Sequence, residues 1–429
     1  MYRRFLIFFS KLLIRGLRLF GSSGSALPGL IIERLYPNFL PKVLRPVEKQ
    51  VILITGTNGK TTTTKMLVEA LRGAGQRVVT NSTGSNMTRG LIAALIEDMT
   101  YLGSLKQTDW FIFEMDEAYA PIFTKKISPR LVAGLNVLRD QLDRYGEIDT
   151  TAQFIADAAQ KADIFVYNQL DPLLTKVAQK NSGTSVSFGV SSPLMSSVVN
   201  EQTIHGADVE AKVKNADVTL LEYSEVDARM WLTVENGTSG HGSRYQFTVP
   251  LQGFHNALNA TAVMAVLTAL GYKDVSRYLK SLEEMEIPFG RGEKLSIWGK
   301  SITVALIKNP SGFASNVKTF IKNANPEVVL FVINDKLADG RDVSWLWDVE
   351  LKGNIPKSSE LFTSGIRGYD MAVRLKQDGY QVQCNTSVQD VVQQILGGTA
   401  TEIVIVPTYT SLFEVRTELG KYGKVPRIW

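Results

Sequence analysis

One segment of the sequence restricts the fold more than any other: a glycine-rich turn that separates a short apolar run from a helical pattern. The apolar run is Val51–Thr55, and apolar residues recur at helical spacing from Thr61 to Arg72. A strand, a tight turn and a helix in this order direct backbone N–H groups at a bound phosphate, which the helix dipole also favours. We therefore expect a nucleotide-binding loop in an α/β domain, formed by Gly56, Thr57, Asn58, Gly59, Lys60, Thr61 and Thr62.

The residues that follow the last glycine of this loop have separate expected roles. Lys60 is predicted to extend from an exposed loop and to contact the terminal phosphates of ATP, with little part in the core. Thr61 is predicted to ligate Mg²⁺. The segment departs from the usual pattern because Ile54 stands where that pattern has its first glycine. The flanking strand and helix are nevertheless the context that the motif requires.

A carboxylate near the end of another apolar run is a second candidate. Glu114 lies in Trp110–Met115, which predicts a buried strand. Open α/β sheets bind ligands beyond the carboxyl ends of their strands. We predict that Glu114 takes part in catalysis and holds Mg²⁺ directly or through water. The alternative is a solvated charge at a strand end, since Asp116 and Glu117 follow closely.

The alternation of apolar strands with segments long enough for crossover helices predicts an α/β fold with mostly parallel sheets. At 429 residues the chain exceeds the size at which one hydrophobic core usually divides. We assign residues 1–48 to a basic N-terminal segment with a linker at Pro41–Glu48. Residues 49–292 are predicted to form a central ATP-binding domain, with a β-rich flank at about 182–251. Residues 293–429 are predicted to form a C-terminal Rossmann-like domain.

Charge is concentrated at the N-terminus. The net charge is +5, but residues 1–50 contain nine Lys or Arg against two Glu, so the body of the chain is slightly acidic. We find no basic patch there that predicts nucleic-acid binding. Near the N-terminus, basic and apolar residues recur at helical spacing, as in Phe8, Lys11, Leu12 and Arg15. This pattern fits either contact with a membrane surface or packing on the protein itself.

Cysteine content excludes several kinds of site. Cys384 is the only cysteine, so the chain has neither an internal disulfide nor a multi-cysteine zinc site. We interpret it as structural, because its sequence context does not suggest a nucleophile. A single cysteine fits a reducing compartment, and no apolar run is long enough for a membrane-spanning helix. We expect a cytoplasmic protein, with contact at the inner face of the membrane as the further hypothesis.

Several motifs in family order resemble the Mur ligase superfamily. The loop Gly-Thr-Asn-Gly-Lys-Thr-Thr is the form found in Mur ligases and folylpolyglutamate synthetases. The resemblance continues along the chain and implies the superfamily's ATP-binding central domain. It also implies that Asn256 and Asn259 lie at the nucleotide and that Arg291 faces phosphate. The segments that carry it are Asn136 with Arg139–Gly146, Asn168–Pro172, Gly253–Asn259 and Phe289–Glu293.

Four further segments are similar to the MurT family of ligase subunits: Ser25–Gly29, Leu306–Gly312, Asn334–Asp348 and Pro407–Thr410. Only about fifty residues precede the loop, so we expect no domain for a UDP-sugar precursor. The resemblance implies ATP-dependent amidation of the D-isoglutamate α-carboxylate in the lipid II stem peptide. It also implies an acyl phosphate intermediate and ammonia from a GatD-type class I glutamine amidotransferase partner. MurT relatives commonly carry a four-cysteine zinc ribbon, which one cysteine cannot form, so we expect no zinc.

The resemblance also implies a role for an aspartate of the C-terminal domain in the partner's active site. A class I glutaminase uses a Cys–His pair, and a third group that fixes the histidine improves it. We predict Asp348 for this role, with Asp335, Asp339 and Asp342 as competing candidates. Two other functions stay open: a conventional ligase that adds an amino acid, and a nucleotide-gated scaffold without chemistry.

Overall fold

The computed structural model describes residues 7–14, 26–81, 88–101, 103–139, 148–198, 215–238, 242–286 and 290–426. These residues form two α/β units, each built on its own sheet. The first sheet has nine strands in the order β2-β3-β1-β4-β5-β6-β7-β8-β9, and the second has six in the order β10-β11-β15-β12-β13-β14. The predicted α/β fold with mostly parallel sheets and a Mur-type central and C-terminal domain is confirmed.

The strands of the first sheet are β1 (Val51–Thr55), β2 (Val78–Thr80), β3 (Trp110–Glu114), β4 (Leu131–Gly134), β5 (Ile164–Asn168), β6 (Thr184–Val190), β7 (Val218–Val226), β8 (Arg229–Asn236) and β9 (Ser243–Val249). Those of the second sheet are β10 (Arg291–Ile297), β11 (Lys300–Ala305), β12 (Val328–Val332), β13 (Glu360–Ser364), β14 (Gln383–Cys384) and β15 (Glu402–Pro407). The α-helices are α1 (residues 7–14), α2 (Ala26–Leu35), α3 (Phe39–Leu44), α4 (Lys60–Gly73), α5 (Thr88–Asp98), α6 (Ala120–Thr124), α7 (Ile148–Ala159), α8 (Pro172–Lys180), α9 (Phe254–Ala269), α10 (Ser276–Lys280), α11 (Pro310–Asn316), α12 (Gly368–Gln377), α13 (Val388–Gly397) and α14 (Tyr409–Leu419).

The strand order of the first sheet determines where a ligand can bind. Strand β1 lies between β3 and β4 and pairs with both in parallel. The chain leaves β1 toward β2 on one side and later crosses to β4 on the other, so the end of β1 is a topological switch point. Crevices at such points bind ligands in open α/β sheets. The glycine-rich turn follows β1 directly and therefore lies in this crevice.

The β-rich flank extends the same sheet rather than forming a separate layer. Strands β6 and β7 pair in parallel, and β7, β8 and β9 continue as an antiparallel meander. Helix α9 packs on this part of the sheet, and residues from Ala257 to Leu267 on nearly all its sides are buried. A helix that is apolar all round is expected to be enclosed by protein in this way. Its first turn points toward the glycine-rich loop.

The predicted linker at Pro41–Glu48 is wrong. This stretch is helical: α3 ends at Leu44, and a 3₁₀ helix follows from Arg45 to Gln50. Phe39, Leu40, Val43 and Leu44 are buried in the same apolar cluster as β1 and β3. Pro41 and Pro46 each lie in the first turn of their helix, where proline is tolerated, and apolar residues at helical spacing decided the local structure. Helix α3 is therefore packed onto the central unit.

Helix α1 also packs on the central unit, but the face that it buries is not the one that carries Phe8 and Leu12 of the predicted pattern. Ile7, Ser10 and Ile14 are buried, whereas Phe8, Phe9 and Leu12 are about half exposed. The Lys11 Nζ atom donates to the carbonyl oxygen of Glu97 at 3.1 Å. Among the described residues, the helices are all too short or too polar to cross a lipid bilayer.

Candidate active site

The glycine-rich loop has backbone angles that favour glycine. Gly56 and Gly59 have φ values of +125° and +88°. At Gly59 a side chain is disfavoured by the positive φ and also by lack of space, since a Cβ atom there would lie 2.3 Å from Oδ1 of Asn259. This close approach places the first turns of α4 and α9 against each other.

Asn136, beyond the end of β4, holds the loop in place. Its Oδ1 atom accepts a hydrogen bond from the Asn58 N–H at 2.8 Å, and its Nδ2 atom donates to the Asn58 carbonyl at 3.0 Å. The Asn136 carbonyl accepts from the Thr57 N–H at 3.0 Å. Thr57 is buried, and its hydroxyl accepts from the Leu138 N–H at 3.0 Å. The loop is thus rigid before any ligand binds, which reduces the entropic cost of binding phosphate.

Lys60, the first residue of α4, is buried, so its predicted exposure is wrong. Its Nζ atom donates to the Gly56 carbonyl at 2.6 Å and to Oε2 of Glu117 at 3.0 Å. Burial lowers the pKa of Lys60, but the carboxylates of Glu117, Asp116 and Glu114 outweigh it and the pKa is raised. The pKa of Glu117 is lowered: burial raises it, and Lys60 more than compensates. The pair is therefore ionised near neutral pH.

Thr61 and Glu114 meet at the carboxyl ends of β1 and β3. The Thr61 hydroxyl donates to Oε1 of Glu114 at 2.9 Å. Asn81 fixes the Glu114 backbone by donating from Nδ2 to its carbonyl at 2.8 Å and accepting its N–H at 2.9 Å. Burial raises the pKa of Glu114, against the opposing influence of Lys60 and Thr61. Glu114 is thus not the solvated strand-end charge of the alternative interpretation.

These oxygen atoms fit a magnesium ion. Mg²⁺ prefers hard oxygen ligands and is commonly held by one or two carboxylates together with substrate phosphates and water. Among the described residues, no group of three or more His, Cys, Asp and Glu side chains is arranged to hold a metal without other ligands. The Thr61 hydroxyl and the Glu114 carboxylate would supply two protein ligands, and phosphate oxygens would supply others.

A cleft between the two α/β units brings the remaining predicted ligands together. Thr62, Asn256, Asn259 and Arg291 line it, along with Asn58 and Gly59. Burial lowers the pKa of the Arg291 guanidinium, and Glu114 opposes that effect. His255 lies in the same cleft, where burial and then Arg291 lower its pKa to about 4, so its imidazole is neutral near pH 7.

The second α/β unit reaches the loop through residues that the sequence analysis did not assign. Lys308 and Asn309 lie between β11 and α11, and Lys308 lines the same cleft. The Lys308 Nζ atom donates to the Thr57 carbonyl at 3.0 Å. Asn309 and Asn58 exchange two amide hydrogen bonds, at 2.9 and 3.1 Å. The sequence also did not predict that Glu117 pairs with Lys60, because only the fold shows which carboxylate the lysine contacts.

Asp348 lies at a contact between the second unit and the first. It follows a 3₁₀ helix at Ser344–Trp347, and its carboxylate is partly exposed. Oδ2 of Asp348 lies 4.0 Å from Nη1 of Arg139, in the central unit. The rest of the Arg139–Gly146 motif, like Phe289, falls outside the described residues.

Comparison with known proteins agrees with this architecture. The model of the Mur ligase middle domain matches residues 54–267, and the model of the MurT ligase C-terminal domain matches residues 306–412. The chain is 29% identical to the MurT subunit of the glutamine-hydrolysing lipid II isoglutaminyl synthase of Streptococcus pneumoniae, over 92% of each chain. MurF from Acinetobacter baumannii superposes with a TM-score of 0.68 at 16% identity, over 91% of this chain and 80% of that one. MurF ligase from Thermotoga maritima, solved in complex with ADP, superposes with a TM-score of 0.64 at 14% identity, over 92% of this chain and 85% of that one.

A phosphate loop at the switch point of one α/β unit, closed by a second Rossmann-like unit, defines an ATP-dependent ligase of the Mur type. The chain belongs to the Mur ligase family, and its C-terminal domain is that of the MurT branch.

Proposed function

We propose that this chain is the ligase subunit of a lipid II isoglutaminyl synthase. It would amidate the α-carboxylate of D-isoglutamate in the lipid II stem peptide, with ATP and with ammonia from a GatD-type glutaminase. The observation that carries the proposal is the junction of the two units. A Mur-type phosphate loop with its Lys60, Thr61 and Glu114 is contacted directly by a C-terminal domain of the MurT type.

The chemistry follows from the weakness of a carboxylate oxygen as a leaving group. The carboxylate oxygen attacks the γ-phosphorus of ATP, the bond from that phosphorus to the β–γ bridging oxygen breaks, and ADP leaves with the electron pair. Ammonia then attacks the carbonyl carbon of the acyl phosphate. The carbon–oxygen bond breaks, inorganic phosphate leaves, and the nitrogen loses a proton to give the amide. Both steps balance without a further reactant.

The residues of the cleft would act mainly by electrostatics and positioning. Phosphoryl transfer gathers negative charge between two oxygens, and fixed positive groups stabilise that charge. Lys60 must exchange Glu117 for phosphate, and Arg291 faces the same cleft. Mg²⁺, when bound by Thr61 and Glu114, would neutralise charge on the phosphate oxygens. Asn256 and Asn259 would orient the nucleotide from the first turn of α9.

Asp348 is the aspartate best placed to reach a partner protein. Asp339 is buried and accepts from the Thr410 N–H at 2.7 Å, and Asp342 accepts from the Ser344 N–H at 2.8 Å. Asp335 lies 3.6 Å from Nε of Arg367. These three carboxylates therefore have structural partners within their own domain. Asp348 faces the boundary between domains and is about one third exposed.

Apolar side chains next to Asp348 fit a docking surface for the glutaminase. The guanidinium of Arg374, on α12, lies 5.5 Å from the ring centre of Trp347. On the same helix Tyr369 and Val373 are more than half exposed, as is Ile366 just before it. Aromatic and arginine side chains are enriched where protein interfaces derive most of their affinity. A glutaminase docked here would approach Asp348 and the entrance of the cleft together.

The two alternatives make different use of the same site. A conventional ligase would join an amino acid to the acyl phosphate instead of ammonia, and a scaffold would bind ATP without turnover. The complete set of Lys60, Thr61 and Glu114 favours catalysis, because a scaffold needs no magnesium ligands beside its phosphate loop.

Reconstitution tests the proposed reaction. The purified chain is mixed with a GatD-type glutaminase, lipid II, ATP and glutamine, and the lipid product is analysed by mass spectrometry. We expect one amidated lipid II for each ADP released. Addition of an amino acid to lipid II would support the conventional ligase, and ATP binding without ADP release would support the scaffold.

We also propose that the protein works at the inner face of the cytoplasmic membrane, where its lipid substrate resides. Phe8, Phe9 and Leu12 point away from the protein body on a helix that is fixed by its opposite face. The ring centroids of Phe8 and Tyr101 are 5.9 Å apart, which adds an amphipathic aromatic to the same patch. Basic residues on the same segment would attract anionic lipid headgroups.

Replacing Phe8, Phe9 and Leu12 with serine should lower partitioning onto vesicles that contain phosphatidylglycerol by about 100-fold. Each partly exposed side chain would contribute about 1 kcal/mol on entering the bilayer interface. Cosedimentation measures the bound fraction, and Ile122→Ser, which removes an exposed apolar side chain elsewhere, serves as the control. Equal binding of the triple variant and the parent protein would show that α1 has no membrane role.

A further inference from the structure

The segment Leu306–Gly312 contacts the phosphate loop but has no role in the scheme above. Asn309 begins α11 and caps it, because its Oδ1 atom accepts from the Gly312 N–H at 2.9 Å. The same amide is paired with the Asn58 amide in both directions, and Asn309 is 1% exposed. One buried side chain therefore joins the start of a helix in the second domain to the loop in the first.

This amide pair sets the position of the neighbouring lysine. Lys308 Nζ donates to the Thr57 carbonyl at 3.0 Å, and Lys60 Nζ lies 3.4 Å from the same oxygen. Two ammonium groups from different domains thus converge on one carbonyl of the phosphate loop. Like charges so close repel each other unless anions lie nearby. Glu117 supplies such an anion, and Lys308 contributes to lowering its pKa.

The cleft already pairs basic with acidic side chains. Lys60 Nζ donates to Oε2 of Glu117 at 3.0 Å, and Lys308 and Arg291 line the same cleft. The triphosphate of ATP adds about four negative charges, of which a magnesium ion offsets two. Lys60 alone cannot serve both Glu117 and the β- and γ-phosphates. A second cation at the loop, Lys308, matches this added charge.

We infer that Lys308 is a second phosphate-binding cation. Its ammonium group moves from the Thr57 carbonyl to the γ-phosphoryl group of ATP, while the Asn58–Asn309 pair fixes the distance between the Lys308 backbone and the loop. This inference rests on the proposed ligase function. It identifies Lys308 as the cation that the C-terminal domain contributes to the phosphate-binding site. Domain contact and catalysis are coupled as a result, because the loop receives Lys308 only when the second domain is in place.

The test compares the affinity for ADP with the affinity for a nucleotide that has the third phosphate. Lys308→Gln and Lys308→Arg are prepared in the full chain, and binding of ADP and of a non-hydrolysable ATP analogue is measured by calorimetry. Lys308→Gln should leave the Kd for ADP within twofold and weaken the analogue about 10-fold, as expected for one lost charge-assisted hydrogen bond. It should lower kcat for ADP release about 10²-fold or more, and arginine should restore part of both losses.

Lys322→Gln is the matched control, because Lys322 lies on the same domain and its Nζ atom donates to Asn354 away from the cleft. Its binding and turnover should match the parent protein. Equal weakening of ADP and the analogue by Lys308→Gln, or unchanged turnover, would overturn the inference. The binding comparison needs no lipid substrate, so it stands or falls separately from the proposed amidation. If lipid II is not amidated but Lys308→Gln still weakens the ATP analogue more than ADP, only the proposed substrate would be wrong.

Discussion

Lys60→Ala should lower kcat for ATP turnover about 10³-fold, which corresponds to roughly 4 kcal/mol of activation free energy. The Lys60 Nζ atom already lies 2.6 Å from the Gly56 carbonyl of the loop. Arg291 and Lys308 approach from the second domain and do not reach this carbonyl among the described hydrogen bonds, so they do not replace its charge at this position. Release of ADP from the reconstituted complex measures the effect.

The burial of Lys60 requires a control for folding. Alanine leaves the Glu117 carboxylate buried without its partner, and such a change typically costs about 3–5 kcal/mol of stability. We therefore expect Lys60→Ala alone to lower Tm. The double variant Lys60→Ala/Glu117→Gln should regain much of that Tm and still turn over ATP about 10³-fold more slowly than the parent protein. Turnover at the parental rate in a folded double variant would contradict the assignment of the phosphate loop.

The local parts of this site could be predicted from the sequence. Val51–Thr55, the glycines and α4 are consecutive, so periodicity and turn chemistry are sufficient to define strand, loop and helix. Glu114 was predicted because a polar residue at the end of a buried run falls at the ligand-binding edge of a parallel sheet. Family motifs added Asn256, Asn259 and Arg291, and all three line the cleft.

The contacts between distant segments could not be predicted in this way. Lys308 and Asn309 are about 250 positions from the loop that they touch, and no periodicity connects them. The lysine lies two residues before Pro310, in a segment that looks like an ordinary strand-to-helix turn. Strand β10 begins at Arg291, before the predicted domain boundary, and Gly292 lies within the strand at a bulge.

The second large effect is expected at Asp348. Asp348→Asn should lower glutamine-dependent amidation by about 10²- to 10⁴-fold, because an asparagine cannot stabilise a charged histidine in the partner's active site. The side chain keeps its volume and loses one exposed pairing with Arg139, so stability should change by about 1 kcal/mol or less. Complex formation should be unchanged, since the apolar surface of Trp347, Tyr369 and Val373 is intact.

Free ammonia separates this role from one in the ligase site. With ammonium chloride in place of glutamine, Asp348→Asn should amidate lipid II at the parental rate, because Lys60, Glu114 and the cleft are unaffected. Asp335→Asn is the matched control, as it removes a partly exposed carboxylate of the same domain that already pairs with Arg367, and it should leave both rates unchanged. Equal losses with glutamine and with ammonia would place Asp348 in the ligase reaction or the fold. No loss in either assay would remove it from the mechanism and return attention to the other aspartates of the segment.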